Sequence, residues 1–310
     1  MPTDLQIAVN ALTWKKAHYD MLYAYFSGNQ PLVYSSSKLK EVFHGLDARF
    51  IVNVCAVVVN GTLDRLALRA LQVSANEQAD DLLQAVREAS GLVDDEYSIH
   101  EDVCITGEGF VLAWRDDQTG AIEAFRNDPR LCHAEYDGAN PRILRFAAKW
   151  WDAGGAIRLN LYYPDRTEYY ATNRDFQAGE TPTDKAFAPW GDDPVAVNEW
   201  GVIPVFHFRA NRTRPKSLLD DALPIQDMVN KLWADCMLTS EFMAFPQRWV
   251  ISESGIANLQ NNPNAIWDLV AAGKDAQATS AGQFPAADLS NYLQVIDNLL
   301  TKLGIITSTP

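Results

Sequence analysis

The sequence predicts an α+β fold, with helices and strands in separate stretches of the chain. Three observations predict it. Helix-period apolar spacing runs to Gly107, short alternating β-branched and aromatic segments follow to about residue 208, and two long helix-period segments come after them. With 310 residues and 47% hydrophobic residues the chain can bury a sizeable core, and its length allows one to three domains.

Ala11 to Phe26 is rich in helix formers and aromatics, and Gly28-Asn29 supplies a stop. Asp47 can cap a second helix, ARFIVNVCAVVVNG, with Phe50, Val54, Val57 and Val58 on its apolar side. Asn76 to Ser90 makes a third, with Leu82, Leu83 and Val86 on one side and Gly91 at its end. Asp94-Asp95 begin a fourth, which passes Val103 and ends near Gly107.

From Gly107 the period changes. GFVLAWRDDQTGAIEAF alternates in two short runs around a turn with Asp117 and Gly120, which predicts a hairpin. RLCHAEY, RILRFAAKWW, AIRLNLYYP and RTEYYAT are further strands, so an antiparallel β module is expected over about 109–172. Residues 173–200 are polar and broken by proline and glycine, the composition of a long surface loop. GVIPVFHF adds one last apolar strand.

The longest helical pattern lies in DDALPIQDMVNKLWADCMLTSEFMAFPQRW. Asp220 or Asp221 can accept the free N–H groups of the first turn, Pro224 fits there, and Pro246 ends the helix. Ile225, Met228, Val229, Leu232, Cys236 and Met243 form its apolar stripe. About 22 residues at about 1.5 Å each give roughly 33 Å, well above the average helix. Asp288 to Leu303 is the second long helix, with Leu289, Tyr292, Leu293, Ile296, Leu299, Leu300 and Leu303 apolar and Gly304 after it. Short strands such as RWVI and polar turns lie between the two.

Composition narrows the function. The net charge of −14 argues against a protein that grips nucleic acid through phosphate contacts. It leaves open one that surrounds DNA without holding it. The excess is uneven: residues 211–310 balance to −3, which leaves −11 for the first 210. No run of apolar residues is long enough for a transmembrane helix, so no membrane partner is expected. MPTDLQIAVNALTWKK lacks the basic start and apolar block of a signal peptide. Cys55, Cys104, Cys132 and Cys236 are far apart and show no CxxC pair, which reads as reduced, buried thiols of a cytosolic protein and not a zinc site.

Catalytic signals are sparse. There is no GxSxG elbow, and His18, His44, His100, His133 and His207 sit in separate elements without metal-ligand spacing. GEGF, with Gly107 and Gly109, is too short for a phosphate cradle and reads as a helix-to-strand turn. The acid pairs Asp80-Asp81, Asp94-Asp95, Asp116-Asp117, Asp192-Asp193 and Asp220-Asp221 are sequence neighbours, so in regular structure they diverge. No catalytic residue, cofactor or metal is expected. Arg209, Arg212, Arg214 and Lys216 form the one dense basic cluster, either a phosphate contact, or a solvated loop or salt bridges to an acidic neighbour. Of the nine tryptophans, the pair Trp150-Trp151 must send one member inward if it lies on a strand.

A collinear set of motifs adds a resemblance. Tyr25-Phe-Ser-Gly28-Asn29 is followed by Asn53 with Val57, Val58 and Val59, GxGF before a hairpin, Asp128-Pro129, LYYPDRTEYY, NEWGVIPVFHF, SLLDDALPIQDMVNKLWAD and FPQRWVI. This resembles the portal proteins of tailed bacteriophages, the siphophage-type group common in actinobacterial phages and prophages. The resemblance runs from about residue 11 onward and is most specific over 198–251. It implies a portal-protein fold: a mixed α/β wing (1–210), a connection and first stem helix (211–245), a small α/β clip (246–286), a second stem helix (287–303), and at 304–310 the start of a tunnel and crown region. Because such proteins run on well past the second stem helix, the chain is expected to be C-terminally truncated.

The resemblance implies a homo-oligomeric ring, usually a dodecamer, at the portal vertex of a virion assembled in the bacterial cytoplasm. Its expected partners are double-stranded DNA in transit, the terminase large subunit, head–tail adaptors, and capsid or scaffold proteins. Stem or channel positions would be Asp227, Asn230, Lys231, Asp235 and Glu241, clip positions Gln247, Arg248 and Trp249, and phosphate contacts Arg209, Arg212, Arg214 and Lys216. Two other readings remain open from the residues alone. One is a cytosolic glycan hydrolase using two carboxylates about 5–10 Å apart in a cleft. The other is a carbohydrate-binding module presenting its tryptophans.

Overall fold

A computed structural model describes residues 2–31, 51–70, 72, 77–116, 119–176, 180–211, 214–243, 248–251, 280–283 and 288–309. The chain divides into two compact units. The first comprises Met1–Gln30, Asn53–Pro224 and Gly304–Pro310, the second Pro31–Val52 and Ile225–Leu303.

The first unit is layered. α1 (Asp4–Ser27) starts before Ala11 because Thr3 and Gln6 form a reciprocal capping box, and it ends at Gly28 in the left-handed conformation. It packs on a six-stranded antiparallel sheet built from β3 (Cys132–Tyr136), β4 (Leu144–Asp152), β5 (Ile157–Tyr162), β6 (Arg166–Thr172) and β7 (Phe187–Pro189), with β8 (Val195–Val197) also paired to β6. Two short strands therefore lie inside 173–200, which is not wholly loop. Ala8, Val9 and Leu12 of α1 meet Phe146, Ala148, Trp150, Leu159 and Leu161. Trp150 is buried and Trp151 is turned the other way, as alternation requires.

The opposite face of that sheet carries a second, smaller sheet of order β2–β1–β9, made of β1 (Glu108–Arg115), β2 (Ile122–Asn127) and β9 (Val205–Arg209). Phe110, Leu112 and Val205 pack there against Cys132, Ala134, Ala147 and Tyr162. The hairpin and the four strands after it thus divide between two stacked sheets. α4 (Leu92–Thr106) lies on the far face of the small sheet, so close that a Cβ on Gly109 would strike the Val103 side chain. α3 (Glu77–Ala89) packs beside α4 and β2. Leu83 and Val86 of α3 are half-buried, whereas Leu82 is 59% exposed, outside the apolar side expected for it.

α2 is shorter than its sequence pattern, Cys55–Leu63. Val58 and Val59 are buried and Val57 is 58% exposed, a second departure from the expected stripe; Asp47 and Phe50 lie outside the described residues. Asn53 fastens α1 to α2. Its side-chain amide donates to the Phe26 carbonyl (2.7 Å) and its oxygen accepts from the Ala56 N–H (3.1 Å).

The second unit contains most of both long helices. α5 (Leu223–Met243) rises about 31 Å at about 1.5 Å per residue. α6 (Ser290–Thr307) begins where Asp288 accepts the Ser290 N–H (2.9 Å). It does not stop at Gly304: a mid-helix glycine costs only about 1 kcal/mol, and the helix closes at Ser308, whose φ is 55°. β10 (Arg248–Ile251) and β11 (Ser280–Gln283) pair antiparallel between the helices in sequence. Ile225, Val229 and Cys236 of the α5 stripe are buried, but Met228 is 41% exposed. In α6 Ile296 and Leu303 are buried while Leu293 is 45% exposed.

Two substitutions test this layering. Phe146→Ala empties a fully buried ring site and should lower unfolding free energy by about 3–5 kcal/mol in urea titration. Gly107 has φ +85°, and a Cβ there would overlap the Lys216 backbone. Gly107→Ala should therefore destabilise the chain more than the same change at Gly91, where a Cβ meets nothing within 4 Å.

Candidate functional site

The densest chemistry in the first unit is a buried polar cluster where α1, β1 and β9 meet. Glu108 opens β1 directly after the Gly107 turn, and alternation along β1 and β9 sends Phe110 and His207 to the same face. Lys15 pairs with Glu108 Oε1, and the Tyr19 hydroxyl donates to that oxygen (2.7 Å). His207 Nε2 lies 2.9 Å from Glu108 Oε2, and Tyr136 OH lies 3.1 Å from His207 Nδ1. Phe110 stacks on the His207 ring at 4.6 Å and 3°.

Burial alone would raise the Glu108 carboxyl, but the Lys15 charge and the His207 hydrogen bond outweigh it and hold the group down at about 2. Burial pushes His207 below the ordinary histidine range. A neutral His207 then donates from Nε2 to Glu108 and accepts from Tyr136 at Nδ1, the tautomer this network assigns. Glu108 is 1% exposed, so no substrate reaches it. The cluster binds three elements together and is not an active site. Asp102 plays a similar part nearby: it accepts two bonds from Arg126 (2.6 and 2.7 Å) and one from Tyr23 (2.5 Å). Sequence reasoning missed both clusters, although the inward phase of His207 in VFHFR was a usable signal.

Three cavities of this unit carry two carboxylates each, the minimum a glycan hydrolase needs: Asp116 with Glu199, Asp152 with Glu180, and Asp4 with Glu168. Four of the six are ion-paired to arginine: Glu199 to Arg115, Glu180 to Arg174, Asp4 to Arg145 and Glu168 to Arg166. Asp116 and Asp152 accept turn N–H groups from Thr119 and Gly155. Each of the six carboxylates is thus already held by a neighbour of its own chain. For the tryptophans, Arg158 stacks on Trp190 at 3.9 Å and covers one face that sugar stacking would use.

The expected stem positions separate. Gln226 and Asn230, one turn apart on α5, are both buried. Gln226 donates to the Val52 carbonyl (2.6 Å) and Asn230 accepts the Val52 N–H (3.0 Å), so Asn230 is turned inward to the Val52 backbone and not outward. Lys231 and Asp235 pair with one another, and with Asp227 they are partly exposed. Glu241 lies within α5. Arg248 and Trp249 pair with Gln283 and Gly282 in the β10–β11 ribbon. Gln247 and Arg212 lie outside the described residues.

The basic residues do not converge. Arg209 lies over the Tyr136 ring at 4.3 Å, Lys216 pairs with Asp221 at 2.8 Å, and Arg214 is exposed. The four cysteines are free and buried. Among the described residues no helix is long and apolar enough to cross a membrane.

Residues 8–310 match the sequence model of a family described as phage portal protein, SPP1 Gp6-like. No curated protein matches. Among solved structures the chain is similar to one described as the neck of an empty GTA particle computed with C6 symmetry, at 11% identity and a TM-score of 0.43 over 89% of this chain and 70% of that one. It is also similar to one from the virion of a native gene transfer agent particle, at 12% identity and a TM-score of 0.40 over 91% of this chain and 72% of that one.

The buried cluster sets an acid response. A histidine held neutral by burial contributes stability above about pH 6.5 that is lost as the pH falls through that value. Glu108, depressed from 4.5 to about 2, contributes stability above about pH 4.5 that is lost on the way down. Both act in one direction, so thermal midpoints should fall continuously from pH 7 to pH 3 in scanning calorimetry. Lys15→Met strands the carboxylate and should cost about 3–5 kcal/mol at pH 7; adding Glu108→Gln should recover a large part.

Proposed function

Because the chain belongs to the SPP1 Gp6-like phage portal protein family, we propose that it is a portal subunit: one copy in a ring at a capsid vertex, through which double-stranded DNA enters and leaves. The family is structural. The observation that carries the reading is the family match over residues 8–310. What supports it within the fold is a helix of 21 residues, a β-ribbon and a helix of 18 residues in succession.

In this reading residues 1–210 form the wing, α5 and α6 are the stem helices, and 246–286, with β10 and β11, is the clip that meets terminase and adaptor proteins. Asp227 and Asp235 face the duplex from the stem and repel its phosphates, and Glu241 is a further channel position on the same helix. Lys231 spends its charge on Asp235 and offers only a weak contact. In a ring every carboxylate recurs in each subunit, so a modest local excess sums to a strong potential. DNA then slides because nothing holds it. Asn230 serves the inside of the stem by holding Val52.

Negative-stain microscopy and fluorescence anisotropy test this together. Rings with a central hole are expected, and a short duplex should bind more weakly than about 1 μM at physiological salt, weakening further as salt rises. Tight, salt-independent binding would sink the sliding model, and uniform monomers at all concentrations would sink the ring.

A further inference from the structure

We propose that the exposed stripe of α3 in one copy of this chain seats on the uncovered face of β9 in the next, so that the helical layer of the wing continues from subunit to subunit. The proposal rests on the ring reading above and names two of the surfaces that would build it.

The vacancy is visible in the layering. Gly109 and Val111 of β1 face α4, through Ile99 and Val103 at Gly109. Cross-strand partners share a face. Phe208 is opposite Gly109 and Phe206 is opposite Val111, so both phenylalanines belong to the face that α4 covers on the next strand. Yet Phe206 is 53% and Phe208 47% exposed. β9 is also the outer strand of its sheet among the described residues. Two aromatic rings on an open sheet face are the kind of surface a soluble chain normally covers.

A matching surface exists on the same unit. Gln78, Asp81, Leu82, Ala85, Glu88 and Ala89 are the exposed positions of α3 among the described side chains. Their spacing, i, i+3, i+4, i+7, i+10 and i+11, makes one stripe in which Leu82, Ala85 and Ala89 form the apolar spine and Asp81 and Glu88 lie together along one flank. The α3–α4 stretch 77–101 holds eight acids against one arginine. The β9 strip ends instead in a basic stretch: Ala210 donates to the Gly107 carbonyl (2.9 Å), the Lys216 backbone abuts Gly107, Arg214 is exposed, and Lys216, also exposed, pairs with Asp221 of its own chain. Each surface has an apolar centre, their charges are opposite, and they are different patches of one molecule. That combination generates a head-to-tail contact between copies, the kind that closes rings. The occupant is therefore a second copy of this chain.

The test is charge reversal with a swap, read by mass photometry and negative-stain microscopy on the 310-residue chain. Asp81→Lys with Glu88→Lys, and separately Arg214→Glu with Lys216→Glu, should each raise the concentration for half-assembly about tenfold or more. The fourfold variant restores opposite charge across every contact and should return it to near the wild-type value. Independently of those variants, Leu82→Cys with Phe208→Cys should give a ladder of cross-linked oligomers on oxidation, where either cysteine alone stops at dimers. Wild-type rings that survive both reversals unchanged, or a missing ladder with no recovery in the fourfold variant, overturn the surface and leave the ring reading standing. A wild type that stays monomeric overturns both.

Discussion

A carboxylate sealed from water must be neutralised where it stands, and Glu108 is such a group. It sits on the central strand of the smaller sheet, and its partners come from two other elements: Lys15 and Tyr19 from α1, and His207 from β9. Tyr136 of the larger sheet closes the set through His207. One charge thereby dictates how α1, the two sheets and β9 meet. A hydrophobic contact in that place would tolerate small slides between layers. A buried ion pair with hydrogen bonds on both oxygens does not, because each displaced partner leaves an unsatisfied group behind.

Much of the secondary structure was legible because period and punctuation agree. Gly28 and Gly107 adopt the left-handed conformation at helix ends, and the alternating runs from 108 to 172 are strands. What escaped was decided by neighbours far away in sequence. Leu82, Val57, Met228 and Leu293 fit apolar stripes on paper but lie exposed at the margins of their helices. Gln226 and Asn230 look like solvent-facing polar positions, yet they are buried because the Val52 N–H and C=O need partners. Nothing local announces a debt that is owed 174 residues away. The division of the hairpin from the following strands was hidden for the same reason. β1 finds β9, a strand far downstream, and not β3.

The functional reading followed the same split. No isolated motif specified a site, and the clusters that look most like chemistry hold the fold together. The order of motifs along the chain carried the family, since a collinear series can be diagnostic when no member is. Where residues had been expected to act together, the structure redistributed them. Arg209 stacks on a tyrosine, Lys216 answers Asp221, and Asn230 works inward.

The strand order β2–β1–β9 also sets a timetable. β1 and β2 are joined by a short turn and can pair as soon as both are made, whereas β9 begins only some eighty residues later. Until then the hairpin has one raw edge, the phenylalanine of β1 lacks the ring that stacks on it, and Glu108 lacks its histidine. Long-range closures of this kind are slow, and the edges they leave open invite mispairing. On a ribosome the first unit thus passes through an interval in which its larger sheet can form while its smaller one stays unfinished. A chain interrupted before Arg209 would carry that unfinished edge permanently, an aggregation hazard born of topology and not of composition.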